Sequence, residues 1–230
     1  MIRSYIKESS KKAESLKSFN FFGKPVQVLQ PLDDSVSLKS VINKIEQLVP
    51  TFLTNNFEIV YVGDFKDFHR EHNSFNAMYK DGALYVSNQQ DNEADLIDDL
   101  VHEIAHSFEK EYDAEIYGDN ALEDEFLGKR KRLRYLVDKP TLNMVYYLNP
   151  EYQSAFDQHL YDDLGYDYLR TLAANLFYSP YAITSLREYW ANGFENYLLG
   201  DTQKLKDLSP VLYTKIKQIL EGSKENKDED

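Results

Sequence analysis

The 230-residue chain contains no cysteine. That excludes disulfides and thiolate metal sites, so any bound metal must be held by histidine, aspartate or glutamate. No apolar run approaches the ~18 residues that a membrane helix needs. The opening "MIRSYIKESSKKAESLKSFNFFG" also lacks an apolar segment of signal-peptide length. The expected setting is cytoplasmic by default, with non-classical export or association with a virion left open. Basic residues are also in short supply, 26 Lys and Arg against 39 Asp and Glu, for a net charge of −13. A surface of that sign repels phosphate backbones and anionic bilayers, so neither nucleic acid nor membrane is an expected partner. A cationic ligand or metal ion suits it better.

What the chain has in quantity is aromatic: 18 tyrosines and 13 phenylalanines, enough for a sizeable core and for aromatic-lined grooves. At 42% hydrophobic and 28% charged it has the composition of a folded domain. Its length fits one large domain or two lobes. The first half reads as mixed. "PVQVLQ" (25–30) and "FEIVYVG" (57–63) read as strands, and "SLKSVINKIEQLVPTFL" carries a helical apolar stripe. "NAMYKDGALYVSN" (76–88) reads as a hairpin turning at Asp81-Gly82, with "ALYVSN" serving as an edge strand. From about Asn92 the pattern is helical, over 92–112 and near 121–137, 151–163, 165–178, 184–199 and 209–221. The expected organisation is an N-terminal arm (1–22), a mixed α/β lobe (23–112), a helical lobe (113–222) and a disordered acidic tail (223–230). The fold class is α+β, with a small mixed sheet, helices above it and a mainly helical C-terminal lobe.

Within "DDLVHEIAHSFEKEY" (98–112), His102 and His106 stand four residues apart with Glu103 after the first. Residues i and i+4 of a helix share a face, so the two imidazoles can converge on one ion. Glu103 is then placed to take a proton from water without being a ligand itself, which is the mechanical content of HExxH. Chance alone yields this pattern in roughly one such chain in a hundred. The flanking Leu96, Leu100, Val101, Ile104, Ala105 and Phe108 mark a buried helix, where two histidines and a glutamate are costly unless satisfied. Zinc would satisfy all three.

A catalytic zinc needs a third protein ligand. A histidine six residues after His106 is excluded, because Tyr112 stands there and Glu109 replaces the accompanying glycine. His159 is the one histidine further downstream. The stronger candidate is Glu188, beside the apolar stripe of "YAITSLREYWANGFENYLLGD" (181–201), with pairing to Arg187 at the surface as the plainer account. Asn192, one turn on, could accept a hydrogen bond from the outer nitrogen of a zinc histidine. Glu123, Glu125, Glu151, Asp162 and Asp163 are further acids between the two segments.

"HEIAH" followed by "YAITSLREYWANGFENYL" resembles the catalytic domain of the anthrax-lethal-factor-like gluzincins, a family that includes the Pro-Pro endopeptidases. The likeness covers roughly residues 76–112 and 178–200. It implies a zincin-like fold, Glu188 as third zinc ligand at the start of "EYWAN", and Tyr181, seven residues earlier, as the group that stabilises the oxyanion. The chain departs from that pattern with Ala105 for a glycine and Asn192 for a second glutamate. The 82-residue interval from His106 to Glu188 is about twice the family's usual one.

The expectation is a zinc-dependent endopeptidase acting on a protein or peptide substrate laid along the strand near 83–88, with Glu103 as general base. A catalytically inactive zincin-fold structural or interaction protein is the alternative, and a metal-free helical adaptor is a third reading. The basic run "GKRKRLRYL" (128–136) reads as a solvated helix face paired with Glu123, Asp124 and Glu125. His69 and His72 of "HREH" read as loop residues, the aromatics of "YDDLGYDYL" as core and groove lining, and Asp98 and Asp99 as acids of the helix's N-terminal half.

Overall fold

The computed structural model describes residues 19–68, 75–138 and 142–225. They form ten α-helices and one five-stranded mixed sheet, an α+β arrangement. By contact the chain divides into two compact units, residues up to Leu100 and residues from Val101 onward.

The first unit carries the sheet, in the order β1-β2-β3-β5-β4: β1 (Phe19–Phe21), β2 (Lys24–Val28), β3 (Ile59–Gly63), β4 (Ala77–Lys80) and β5 (Ala83–Ser87). β3 is parallel to β2 and β5, while β1 and β4 run antiparallel at the edges. The alternation of the strands sends Val26, Val60, Val62, Leu84 and Val86 to the buried side. Val41, Ile42 and Ile45 of α1 (Leu38–Leu48) supply the other buried positions, and Ser37 caps that helix by accepting from the Ser40 amide. The opposite face is partly open, and there Tyr61 and Tyr85, paired in register, stack at 5.2 Å. The β4–β5 turn takes the backbone that Asp-Gly predicts, with φ of 51° at Asp81 and 76° at Gly82.

Two expectations change here. "ALYVSN" is not an edge strand: β5 lies between β3 and β4, so its backbone groups are used on both sides. The edge falls to β4, because the tight Asp81-Gly82 turn folds the shorter strand back outside. Phe19–Phe21, placed in the arm by sequence, pair with β2. Residues 1–18, with the rest of the arm, and 69–74, with His69 and His72, lie outside the described residues.

α2 (Glu93–Glu109) carries the HExxH motif, and the division between the units falls inside it. At its start Asn92 accepts from the backbone amides of Ala94 and Asp95, and Asp99 accepts from the side-chain Nε2 of Gln90. The second unit continues with α3 (Asp113–Tyr117), α4 (Ala121–Leu136), α5 (Met144–Tyr147), α6 (Ser154–Gln158), α7 (Tyr166–Leu172), α8 (Leu186–Leu199), α9 (Thr202–Leu208) and α10 (Pro210–Glu225). The helix expected over 92–112 is α2, which ends three residues earlier at Glu109, and α3, α5 and α9 were not expected. The pattern near 151–163 becomes α6 followed by a π-helical turn (His159–Leu164) that ends at Gly165, φ 81°. Helix α10 extends through Glu225, inside the segment read as tail, and 226–230 lie outside the described residues.

The core of this unit fixes the helices that matter. Phe108 meets Trp190 at 6.1 Å and Phe194 at 5.1 Å, so the C-terminal half of α2 is seated on α8. Each of these rings is essentially buried, worth about 2–3 kcal/mol apiece. On the other side of α8, a Cβ on Gly193 would lie 2.3 Å from Leu212 Cδ2, so any larger residue there would displace the buried Leu212 side chain of α10.

The basic run is solvated only in part: Lys131 and Arg132 are exposed, and the expectation is corrected at the two residues before them. Lys129 and Arg130 are 6% and 0% exposed. Lys129 donates to Tyr189 Oη and to Ser209 Oγ (2.6 Å) and lies over the Tyr189 ring. Arg130 donates to the carbonyls of Tyr146 and Asn149 and stacks on Phe156, 4.0 Å from its ring centre. Aromatic faces take the place of water for both cations, with hydroxyls for Lys129 and carbonyls for Arg130. A charge count along the chain does not register that compensation.

Candidate metal centre

Two helices and one turn bring the site together, all within the second unit. α2 presents His102 and His106 from one face, their rings 5.0 Å apart. α8 presents Glu188 from its first turn. Ser185 caps α8, its Oγ accepting from the Glu188 amide at 3.2 Å. Ser185-x-x-Glu188 is the spacing of a capping box, in which the glutamate side chain would turn back to the cap residue's own amide. Here the carboxylate turns to the histidines instead: Glu188 Oε2 stands 2.9 Å from His102 Nε2 and 3.5 Å from His106 Nε2.

Among the described residues, His102, His106 and Glu188 form the one group of three potential ligands whose donor atoms all lie within 4.8 Å of each other. A tetrahedral zinc with ligands at about 2.0–2.1 Å sets neighbouring donors about 3.3 Å apart, and the two measured separations bracket that value. The donor set, two imidazoles and a carboxylate, suits zinc. The three side chains are 12–18% exposed, so solvent reaches the group.

His159 is not part of it. Its ring is buried in the second unit, with Nε2 3.1 Å from Tyr147 Oη and Nδ1 2.8 Å from Asp163 Oδ2. Of the other candidate acids, Glu125 accepts from Tyr189 and from the amides of Val211 and Leu212 at the start of α10. Glu103 is 8% exposed. Tyr181, in the turn Tyr181–Ile183 that leads into α8, has its ring centre 6.2 Å from that of His102.

The outer nitrogens of both histidines face carboxylates that sequence reasoning did not assign. His102 Nδ1 lies 3.2 Å from Glu195 Oε2, and His106 Nδ1 lies 3.1 Å from Glu109 Oε2. An ionised carboxylate only accepts, so each Nδ1 carries the proton and donates it. Asn192, expected to face a histidine, donates to Glu195 Oε2 at 3.3 Å and so supports the residue that takes its place. Helical spacing carries the signal for both acids. Glu195 is seven residues after Glu188, on the same face of α8, and Glu109 is three after His106. Glu109 also accepts from Tyr117 Oη (2.8 Å) and twice from Arg187 Nε (2.9 and 3.1 Å).

The electrostatics follow from this packing. Burial alone would lower both histidines, but the Glu188 and Glu195 carboxylates hold His102 well above its ordinary 6.5. In the same way, Glu109 and Glu188 outweigh burial to raise His106 to about 9. Burial would raise Glu188, and its bonds to the two imidazoles instead hold it far below the usual carboxylate range. Burial, with the charges of Glu188 and Glu103 nearby, pushes the Tyr181 hydroxyl well above 10. Without a metal the cluster therefore stores protons on its histidines, where a divalent cation would substitute for them.

No protein-family model, no curated protein and no solved structure matches the chain.

Proposed function

We propose that the chain is a zinc-dependent endopeptidase of gluzincin type with a zincin-like two-lobed fold, hydrolysing a protein or peptide substrate. The observation that carries this reading is the convergence of His102, His106 and Glu188 on one point, with Glu103 buried next to the first ligand. His102 and His106 would bind zinc through Nε2 and Glu188 through a carboxylate oxygen. Bound zinc acts as a Lewis acid and brings water within reach of deprotonation near neutral pH. Glu103 takes the proton of the attacking water and passes it to the amine that leaves as the C–N bond breaks. Tyr181 keeps its proton across the physiological range, so its hydroxyl donates to the oxygen of the scissile carbonyl as negative charge develops there. Glu195 and Glu109 hold the two imidazoles in the tautomer that leaves Nε2 free for the metal.

The test uses the full chain, stripped of metal, reloaded with zinc and offered a broad peptide library beside the Glu103→Ala variant. The expected result is cleavage by the parent protein, with a loss of a hundredfold or more in the variant at unchanged zinc content. Cleavage at equal rates by both proteins, or by neither, overturns the reading.

A further inference from the structure

We infer that Arg187 is a positioning residue of the candidate metal site, acting through Glu109 on His106 and on the spacing of the two ligand helices. This rests on the metal-site reading above. Glu109 is 5% exposed and closes α2, three residues after His106. Both of its oxygens are used: Oε1 accepts from Tyr117 Oη and Arg187 Nε, while Oε2 accepts from Arg187 Nε and lies against His106 Nδ1. A buried carboxylate so engaged is fixed in direction, and its second oxygen fixes the ring plane of His106.

Arg187 is the part of this arrangement that a local reading discards. Its side chain is 61% exposed, and an exposed ion pair is ordinarily worth little. Its partner, however, is buried, and Arg187 directly precedes Glu188 in the first turn of α8. One ion pair thus ties the end of the helix that bears both histidines to the start of the helix that bears the carboxylate ligand. Glu109 without Arg187 would keep the Tyr117 hydroxyl and the His106 N–H as its described partners. It would then be a buried carboxylate held by fewer donors, free to follow His106 instead of holding it. Donors from three helices, His106 of α2, Tyr117 of α3 and Arg187 of α8, meet at this one carboxylate.

The test is zinc affinity of metal-stripped full-length protein, measured by competition with a chromophoric chelator. It uses the parent, Arg187→Met, Glu109→Gln and the double variant, with thermal melting of the metal-free proteins recorded separately. A positioning role predicts a loss of tenfold or more in zinc affinity for each single variant, and a double variant no more than about threefold worse than the weaker single. A loss below tenfold in Arg187→Met, or losses that add, overturns the inference. Arg187→Lys keeps the cation without the planar Nε fork and is run in parallel, so a folding failure of the methionine variant leaves the test intact. For the lysine variant a loss of at least threefold supports the role, and anything smaller overturns it. Absence of zinc uptake by the parent protein sinks the metal reading and this inference with it. Uptake of one zinc by the parent, with Arg187→Met unchanged, sinks the positioning role alone.

Discussion

Zinc uptake should depend steeply on pH in a window set by the carboxylates around the histidines. His106 is raised to about 9 by Glu109 and Glu188 working against burial, so at pH 7 it is about 99% protonated without metal. Two pH units of proton competition cost about 3 kcal/mol, a hundredfold in apparent affinity, and His102, also raised, adds to the slope. Between pH 7 and 9 the logarithm of the zinc association constant should climb by one to two units per pH unit, and then level off. Metal-free stability runs the opposite way. Folded-state pKa values above the unfolded 6.5 make the metal-free histidines stabilising at low pH, a contribution lost as pH rises through about 9. The shift in melting temperature on adding zinc must therefore grow over that range. Chelator competition at half-unit steps from pH 6.5 to 9.5, in constant ionic strength, measures the slope. Glu109→Gln removes one of the carboxylates that raise His106 and should flatten it. An affinity flat from pH 7 upward in the parent protein would refute the reasoning, since it would mean that the histidines enter the complex already neutral.

Two further outcomes follow from burial. Burial lowers Lys129 to about 8 from its ordinary 10.5, so the folded state binds fewer protons than the unfolded one between those values. Stability should therefore rise by about 3 kcal/mol across that window, and Lys129→Met should remove the rise in denaturant titrations at pH 7.5 and 10. Parallel curves for the two proteins would reject the account. His159→Ala should leave zinc stoichiometry at the parental value while lowering stability by about 2 kcal/mol through the bonds it makes to Tyr147 and Asp163, whereas Glu188→Ala should lose the metal. Metal content after dialysis separates them, and loss of zinc from His159→Ala alone would reverse the assignment.

The elements legible in the sequence are those whose local rules agree with their surroundings. Asp81-Gly82 gave the hairpin turn because only such residues take two successive positive φ values cheaply. The apolar pattern over 184–199 gave a helix within two residues of the observed ends, and the stripe in "SLKSVINKIEQLVPTFL" marked α1, which stops at Leu48 short of Pro50. Strand order was hidden: β5 looks like any half-buried strand until β3 and β4 are known to flank it. The burial of Lys129 and Arg130 was hidden for a related reason, since Tyr189 and Ser209 reach the first, and the carbonyls of Tyr146 and Asn149 and the ring of Phe156 the second, from elsewhere in the chain. At the candidate site the residues on one helix face were readable, Glu109 included by its spacing from His106, while the contact of Glu195 with His102 needed the two helices to be seen together.

That contrast bears on what the site is for. Glu188 occupies the third position after a serine cap, where turning back to the Ser185 amide would satisfy a further helix-end donor at a gain of about 1 kcal/mol. The side chain forgoes that bond and sits between two imidazoles in a largely buried place. Glu195 and Glu109 then enter the same region, so carboxylates outnumber the histidines they surround. A sequence selected for packing alone would relieve that excess with apolar residues, because paired buried charges seldom exceed well-packed hydrocarbon in stability. Departures from local rules concentrate where a fold serves something besides its own stability. With both imidazoles neutral, Glu188, Glu195 and Glu109 exceed the one cation among them, Arg187, and on the metal reading proposed above a divalent cation would balance that excess.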